Sequence, residues 1–252
     1  MEQDISTYGQ MNFNLPHDLV TLPSGGVFYK SKKKSIKVGY LTAADENVLL
    51  NTNQNNRESV VLTLLRSKLY ETDIRPDELL TGDVEAILIF LRNTAFGPDY
   101  EVTLVDPQTN KKFNYTITLD ELNIRQPENK PNDEGLFVVK LPKSGIDVKL
   151  KPLSLADSLE IEKMVDSYPS NRVAPKVTWK LNKQIVSLGG ETDKSQIAKQ
   201  IESLPIMDSK FIRTFLNQNE PRLDLQKEVT APSGEKVIVD VTFGVEFFRP
   251  FY

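Results

Sequence analysis

Few side chains in this sequence combine the type and spacing that catalysis or metal binding needs. His17 is the single histidine among 252 residues, and cysteine is absent. One imidazole cannot build a two-histidine zinc site or an H-E-x-x-H helix. Without thiols there are no disulfides, thiolate zinc sites, iron–sulfur clusters or cysteine nucleophiles. His17 sits beside Asp18 in a polar stretch with no G-x-S-x-G motif, so its expected state is a solvated side chain. Acidic pairs such as Asp45-Glu46 have the chemistry to hold a divalent ion or to move protons. Their spacing points to helix capping instead, because Asp45 follows Thr42, and Asp157 follows Ser154, by three residues. No G-x-x-x-x-G-K-S/T loop occurs, and Gly25-Gly26 lacks the dinucleotide spacing. Lys30, Lys32, Lys33, Lys34 and Lys37 form a local basic run able to meet a phosphate or an acidic partner. At a hairpin tip, lysines also stay solvated and discourage edge pairing.

The C-terminus differs in kind. Phe243, Phe247, Phe248, Phe251 and Tyr252 place five aromatics in the last ten residues, where the chain-wide 8% gives about one. Terminal segments are ordinarily polar, so this density is either docked in the chain's own core or used on a partner. On the second alternative the partner-binding residues are Phe247, Phe248, Arg249, Phe251 and Tyr252, and Arg249-Pro250 keeps the segment soluble and non-helical.

The elements that must position these residues follow from periodicity. Residues 1–21, rich in Gln, Asn, Ser and Thr, read as an N-terminal arm. Leu22-Pro23-Ser24-Gly25-Gly26 marks a turn, and Val27-Phe28-Tyr29 with Ile36-Lys37-Val38 reads as a hairpin. Thr42, accepting from an N–H three residues on, opens a helix, and Asn51 to Asn56 reads as a loop. Val60, Val61, Leu64, Leu65 and Leu69 recur at helical spacing, as do Val84, Ile87, Leu88 and Leu91 before Gly97-Pro98. Tyr100–Val105 and Phe113–Leu119 alternate with period two around Asp106-Pro107-Gln108-Thr109-Asn110. A Pro- and Gly-bearing linker is placed at 126–140.

The second half of the sequence echoes the first. Leu22-Pro23-Ser24-Gly25 returns as Leu141-Pro142-Lys143-Ser144-Gly145, and Leu41-Thr42-Ala43-Ala44-Asp45 as Leu153-Ser154-Leu155-Ala156-Asp157. Glu101-Val102-Thr103 before its turn matches Glu228-Val229-Thr230 before Pro232-Ser233-Gly234. The expected fold class is α+β: two related units, 22–125 and 141–252, from an internal duplication, each with helices and a closing hairpin. Helices are expected at Leu159–Val165, Trp179–Val186, Asp193–Leu204 and Asp208–Leu216, with Asp193 and Gln196 spaced as a capping box.

Composition limits the function. Lys and Arg number 31 against 35 Asp and Glu, a net charge of −4 that opposes a general polyanion-binding role. No apolar run approaches the roughly 18 residues of a membrane span. The acidic start Met1-Glu2-Gln3-Asp4 is unlike a secretory signal, so a cytoplasmic chain without cofactor or metal is expected.

The succession of Leu-Pro-Ser-Gly, the Leu-Thr-Ala-Ala-Asp-Glu helix, the Leu80-Thr81-Gly82-Asp83 helix, the Phe96-Gly97-Pro98-Asp99-Tyr100 hairpin and terminal Phe247-Phe248-Arg249-Pro250 resembles the baseplate hub assembly proteins of T4-like contractile-tailed bacteriophages. The resemblance spans residues 22–252. It implies a chaperone-like factor, not an enzyme, that binds baseplate hub proteins in the host cytoplasm; the alternative is a structural baseplate subunit kept in the virion. A hydrolase using metal-bound carboxylates is a third reading, which needs a carboxylate cluster that the sequence does not show. Relatives carry paired cysteines in the hairpins as zinc knuckles. Here those turns read Asp106-Pro107-Gln108 and Pro232-Ser233-Gly234, so that metal role does not carry over.

Overall fold

A computed structural model describes residues 16–50, 57–70, 73–125, 127–243 and 245–248. Among them the order of elements is β1 (His17–Thr21), β2 (Ser35–Gly39), α1 (Ala43–Leu50), α2 (Arg57–Lys68), α3 (Thr81–Phe96), β3 (Asp99–Val105) and β4 (Lys112–Thr118). After the two-residue strand β5 (Ile124–Arg125) come β6 (Phe137–Lys140), β7 (Asp147–Leu150), α4 (Leu155–Asp166), α5 (Lys176–Gln184) and β8 (Ile185–Leu188). The chain then forms α6 (Lys194–Glu202), α7 (Ile206–Asn219), β9 (Arg222–Leu223), β10 (Gln226–Thr230) and β11 (Lys236–Asp240). Small antiparallel sheets alternate with helices, an α+β fold.

Two differences from the sequence reading change where the fold begins. His17–Thr21, read as part of an arm, pair antiparallel with Ser35–Gly39. Val27-Phe28-Tyr29, read as the partner of Ile36–Val38, lie in turns. The alternation of Val20 and Ile36 onto one face decides the pairing, since both are buried and the intervening Leu-Pro-Ser-Gly-Gly segment folds as consecutive turns. Residues 1–15 of the expected arm, and the expected loop at 51–56, lie outside the described residues.

The remaining elements follow their local chemistry. Gly97, at φ 83°, ends α3 by donating its N–H to Asn93, in a conformation costly for any side chain, and Pro98 stops continuation. In the β3–β4 ribbon Tyr100 opposes Ile117, Val102 opposes Tyr115 and Leu104 opposes Phe113, all on one face. Ser154 caps α4 with a reciprocal capping box to Asp157. Asp193 caps α6 by accepting from Ser195 and Gln196 N–H groups. The helix expected over Trp179–Val186 stops at Gln184, because Ile185–Leu188 add to β7 and make the third strand of the sheet β6-β7-β8.

Buried side chains gather into two cores. The first takes Val20, Ile36, Leu64, Leu65, Ile87, Leu91 and Ile117 from the N-terminal half, and also Leu223, Val229, Val239, Val241, Phe247 and Phe248 from the far end of the chain. The second is built from β6–β8, α5, α6 and α7, through Phe137, Leu150, Ile185, Ile197 and Ile212. The boundary expected at 126–140 therefore does not separate the cores: the chain returns across it, β5 pairs with β9, and the closing hairpin packs on the first core. Nor is the connecting stretch free. Asn129 donates from its backbone (2.6 Å) and side chain (3.2 Å) to the side-chain Oδ1 of the buried Asn219, and Lys32 Nζ donates to the Asp133 backbone carbonyl at 3.0 Å.

The two halves share one device. Asp83, in the first turn of α3, accepts from the Ser24 N–H at 2.9 Å and from the Tyr29 hydroxyl. Asp208, in the first turn of α7, accepts from the Lys143 and Ser144 N–H groups at 2.7 and 2.9 Å. Both carboxylates are fully buried, and each clips a Leu-Pro turn to the longest helix of its half.

Candidate functional site

The aromatic terminus is held from inside. Arg92 on α3, 2% exposed, donates to the carbonyls of Phe247 (3.1 Å), Gly97 (2.7 Å) and Asp99 (2.8 Å). Its guanidinium lies 5.1 Å from the Tyr100 ring centroid and 5.6 Å from that of Phe247. Burial lowers the basicity of Arg92, while Tyr100 and Asp99 partly restore it. Around this cation Phe243, Phe247 and Phe248 pack edge to face at 4.9 and 5.0 Å. Phe247 is 0% and Phe248 6% exposed, so these two residues, assigned to partner binding on one reading of the sequence, are core side chains instead. The physical reason is apolar area: two rings flanked by Phe243 and Tyr100 find a ready-made pocket on α3 and β3. Arg249, Phe251 and Tyr252 lie outside the described residues.

The acidic positions are capping and clamping groups. Asp45 accepts from the Thr42 N–H (2.7 Å) and hydroxyl (2.6 Å) and pairs with Lys68. The Thr42 hydroxyl is thus a donor, and the N–H of Asp45 goes to the Thr42 carbonyl, reversing the expected cap. Burial alone would raise the Asp45 carboxyl; Lys68 and Thr42 together outweigh it and hold the group below its usual range. Among the described residues no three His, Asp or Glu side chains converge as metal ligands. His17 stands on β1 with its ring edge-on to Tyr70 at 5.5 Å. In the lysine run, Lys32 holds the Val27 and Asp133 carbonyls and Lys33 pairs with Asp73 at 2.6 Å, while Lys30, Lys34 and Lys37 are exposed.

The two hairpin turns meet. Asp106, 2% exposed, accepts from Gln108 and Thr109 N–H groups within its own turn. From the other turn it accepts the Ser233 N–H (3.0 Å) and hydroxyl (2.8 Å). Burial works against the anion, but Ser233, Thr109 and Gln108 outweigh it and hold the carboxyl low. Neither turn offers a thiol or imidazole, so the donor set does not fit zinc.

A charged cavity of about 420 Å³ lies where the halves join, lined from α3 by Glu85, from α4 by Glu162, from α5 by Lys180, from the middle of α7 by Arg213 and from the segment after α7 by Glu220 and Arg222. Glu85 Oε2 is buried without a hydrogen-bond partner. Burial pushes the Glu85 carboxyl up to about 7, Arg222 opposes this, and Glu220 and Asp83 add to it. Glu220 and Glu162 are likewise raised by burial. Sequence reasoning missed this junction because its members are scattered from residue 80 to 222 and share no motif. Also missed were the apolar side chains left in solvent: Ile206 (83%) and Met207 (60%) on the first turn of α7, and Val173 (93%) between α4 and α5.

Compared with known proteins, the sequence matches the family model of the T4 bacteriophage base plate protein over residues 21–249. No curated protein and no solved structure matches it. The matched stretch takes in the second core and, Val20 apart, the first, with both aspartate clamps and both closing hairpins, leaving out only the first twenty and last three residues, and so the chain belongs to the T4 bacteriophage base plate protein family.

Proposed function

We propose that this baseplate protein is a non-enzymatic, chaperone-like assembly factor that promotes formation of the tail baseplate hub through contacts with hub proteins in the host cytoplasm. The observation that carries the reading is the distribution of exposed apolar side chains. Leu19 (64%), Val173 (93%), Ile206 (83%) and Ile238 (68%) stand on β1, the α4–α5 loop, α7 and β11. A permanent interface gathers such residues into one broad apolar face, whereas dispersed contacts suit a protein that holds a partner and releases it. The acidic balance supports protein partners over nucleic acid. Covalent chemistry finds little support in the charged junction, where the hydroxyls of Thr81 and Ser158 line the cavity among carboxylates and cations with no histidine beside them to act as their base.

Mass spectrometry of purified particles beside infected-cell lysate tests this. The expected result is the chain in lysate and not in particles. Its recovery from particles in fixed ratio to other baseplate proteins would make it a structural subunit instead.

The same proposal includes descent of the two halves from one ancestral unit. It is supported by the matched order of hairpin, capped helix, long helix and closing hairpin, and by the equivalent Asp83 and Asp208 clamps. An experimental structure in which the two clamps and their hairpins fail to superpose would overturn that descent.

A further inference from the structure

Strand β1 has one paired edge and one open edge. The bonds Leu22 N–H to Lys34 and Tyr40 N–H to Pro16 set the ladder phase, so Asp18 and Val20 exchange bonds with β2 while Leu19 and Thr21 direct N–H and C=O outward. Among the described residues nothing bonds to those outward groups. The far side of the ribbon, by contrast, is closed: Val38 bridges Leu69, and the Tyr70 N–H reaches the Lys37 carbonyl at 3.2 Å. Proteins ordinarily blunt an open edge with a proline, a lysine, a bulge or an inward charge. Residues 17–21 contain no proline or lysine, keep register without a bulge, and have Asp18 engaged by the Tyr40 hydroxyl at 2.6 Å.

The surface beside this edge has a definite character. Leu19, 64% exposed, stands directly opposite Lys37 on the solvent face, two residues from His17, whose ring meets the 44% exposed Tyr70. Lys37, opposite Leu19, and Lys34, whose carbonyl accepts the Leu22 N–H, are exposed and form no ion pair among the described residues, unlike Lys33. The edge thus offers backbone donors and acceptors, one apolar contact and unpaired positive charge.

We propose that the outer edge of β1 accepts an extended acidic segment of a partner protein as an added strand, its backbone paired with Leu19 and Thr21 and its carboxylates facing the free lysines. Main-chain bonds supply the attachment, Leu19 sets the register, and the lysines select the charge. The inference goes beyond the assembly role and does not depend on it, since it uses only the strand edge and its neighbours.

The test uses the full chain and a blocked peptide, Thr-Glu-Thr-Val-Thr-Glu-Thr, with Thr-Lys-Thr-Val-Thr-Lys-Thr as its charge-reversed counterpart. Amide hydrogen exchange is followed by NMR. At millimolar acidic peptide, exchange at Leu19 and Thr21 is expected to slow at least tenfold, with less slowing as salt rises. Leu19→Pro removes one outward N–H and leaves the bonds of Asp18 and Val20 to β2, so it should abolish the effect while the β1–β2 amides stay protected. Should that variant lose β1, Lys37→Glu serves instead: it should weaken the acidic peptide at least fivefold and favour the basic one. Four results would overturn the proposal: no slowing at millimolar peptide, equal binding of the basic peptide, protection of Leu19 and Thr21 in the dilute free chain, or protection growing with protein concentration. The third would place the chain's own residues 1–15 on the edge, and the fourth a second copy.

Discussion

At pH 5 the Glu85 carboxyl carries its proton inside the junction, and at pH 8 it does not. Its folded value, about 7, stands above the ordinary 4.5 because burial disfavours the anion. The fold therefore prefers the protonated form, and that contribution is complete below about pH 4.5 and lost as pH rises through 7. We expect the melting temperature to fall between pH 5 and 8, by the equivalent of at most about 3 kcal/mol. Glu85→Gln should flatten the profile and raise stability at pH 8; calorimetry across that range checks it. Asp45 has the opposite sign. Its lowered value means stability present above its unfolded value near 4 and lost as pH falls through the folded one. Its partner Lys68 has a side chain only 6% exposed, so Lys68→Met strands a buried carboxylate and should cost roughly 3–5 kcal/mol in urea denaturation.

The aspartate clamps make a matched experiment at the scale of elements. Asp83→Ala leaves the Tyr29 hydroxyl and Ser24 N–H without an acceptor, a loss of about 2–3 kcal/mol by thermal melting. Asp208→Ala should speed amide exchange at Lys143 and Ser144 while sparing the first core. Gly82→Ala probes the joint itself, since its Cβ would fall 2.1 Å from the Pro221 carbonyl oxygen; the expected result is faster proteolysis between the halves. What the sequence made legible here were elements with strong period or local chemistry: α2 and α3 from their apolar spacing, β3 and β4 from alternation, α4 from Ser154 and Asp157. Helix ends shifted by a few residues. The first half of β8 falls in the expected helix Trp179–Val186 because Ile185 and Val186 continue the apolar spacing of α5, and only pairing with β7 distinguishes the two. The same limit hid β1, whose five residues carry no signal apart from their partner. The junction was illegible for a different reason, as charges made neighbours by tertiary packing leave no trace in spacing.

Across the whole molecule, the aromatic terminus is where the two readings of the sequence divided. Phe247→Ala should cost about 3–5 kcal/mol and loosen amides of α3 and β3 rather than those of α7, because the ring belongs to the first core. That membership bears on how the protein is made. A ribosome that has released residues 1–200 has produced everything in the N-terminal half, yet that half still lacks Leu223, Val229, Val239, Val241, Phe247 and Phe248. Until residues 223–248 emerge the first core is incomplete, whereas the second core needs nothing past α7. The second core can therefore close before the first, which is complete only when residues 223–248 come back to it.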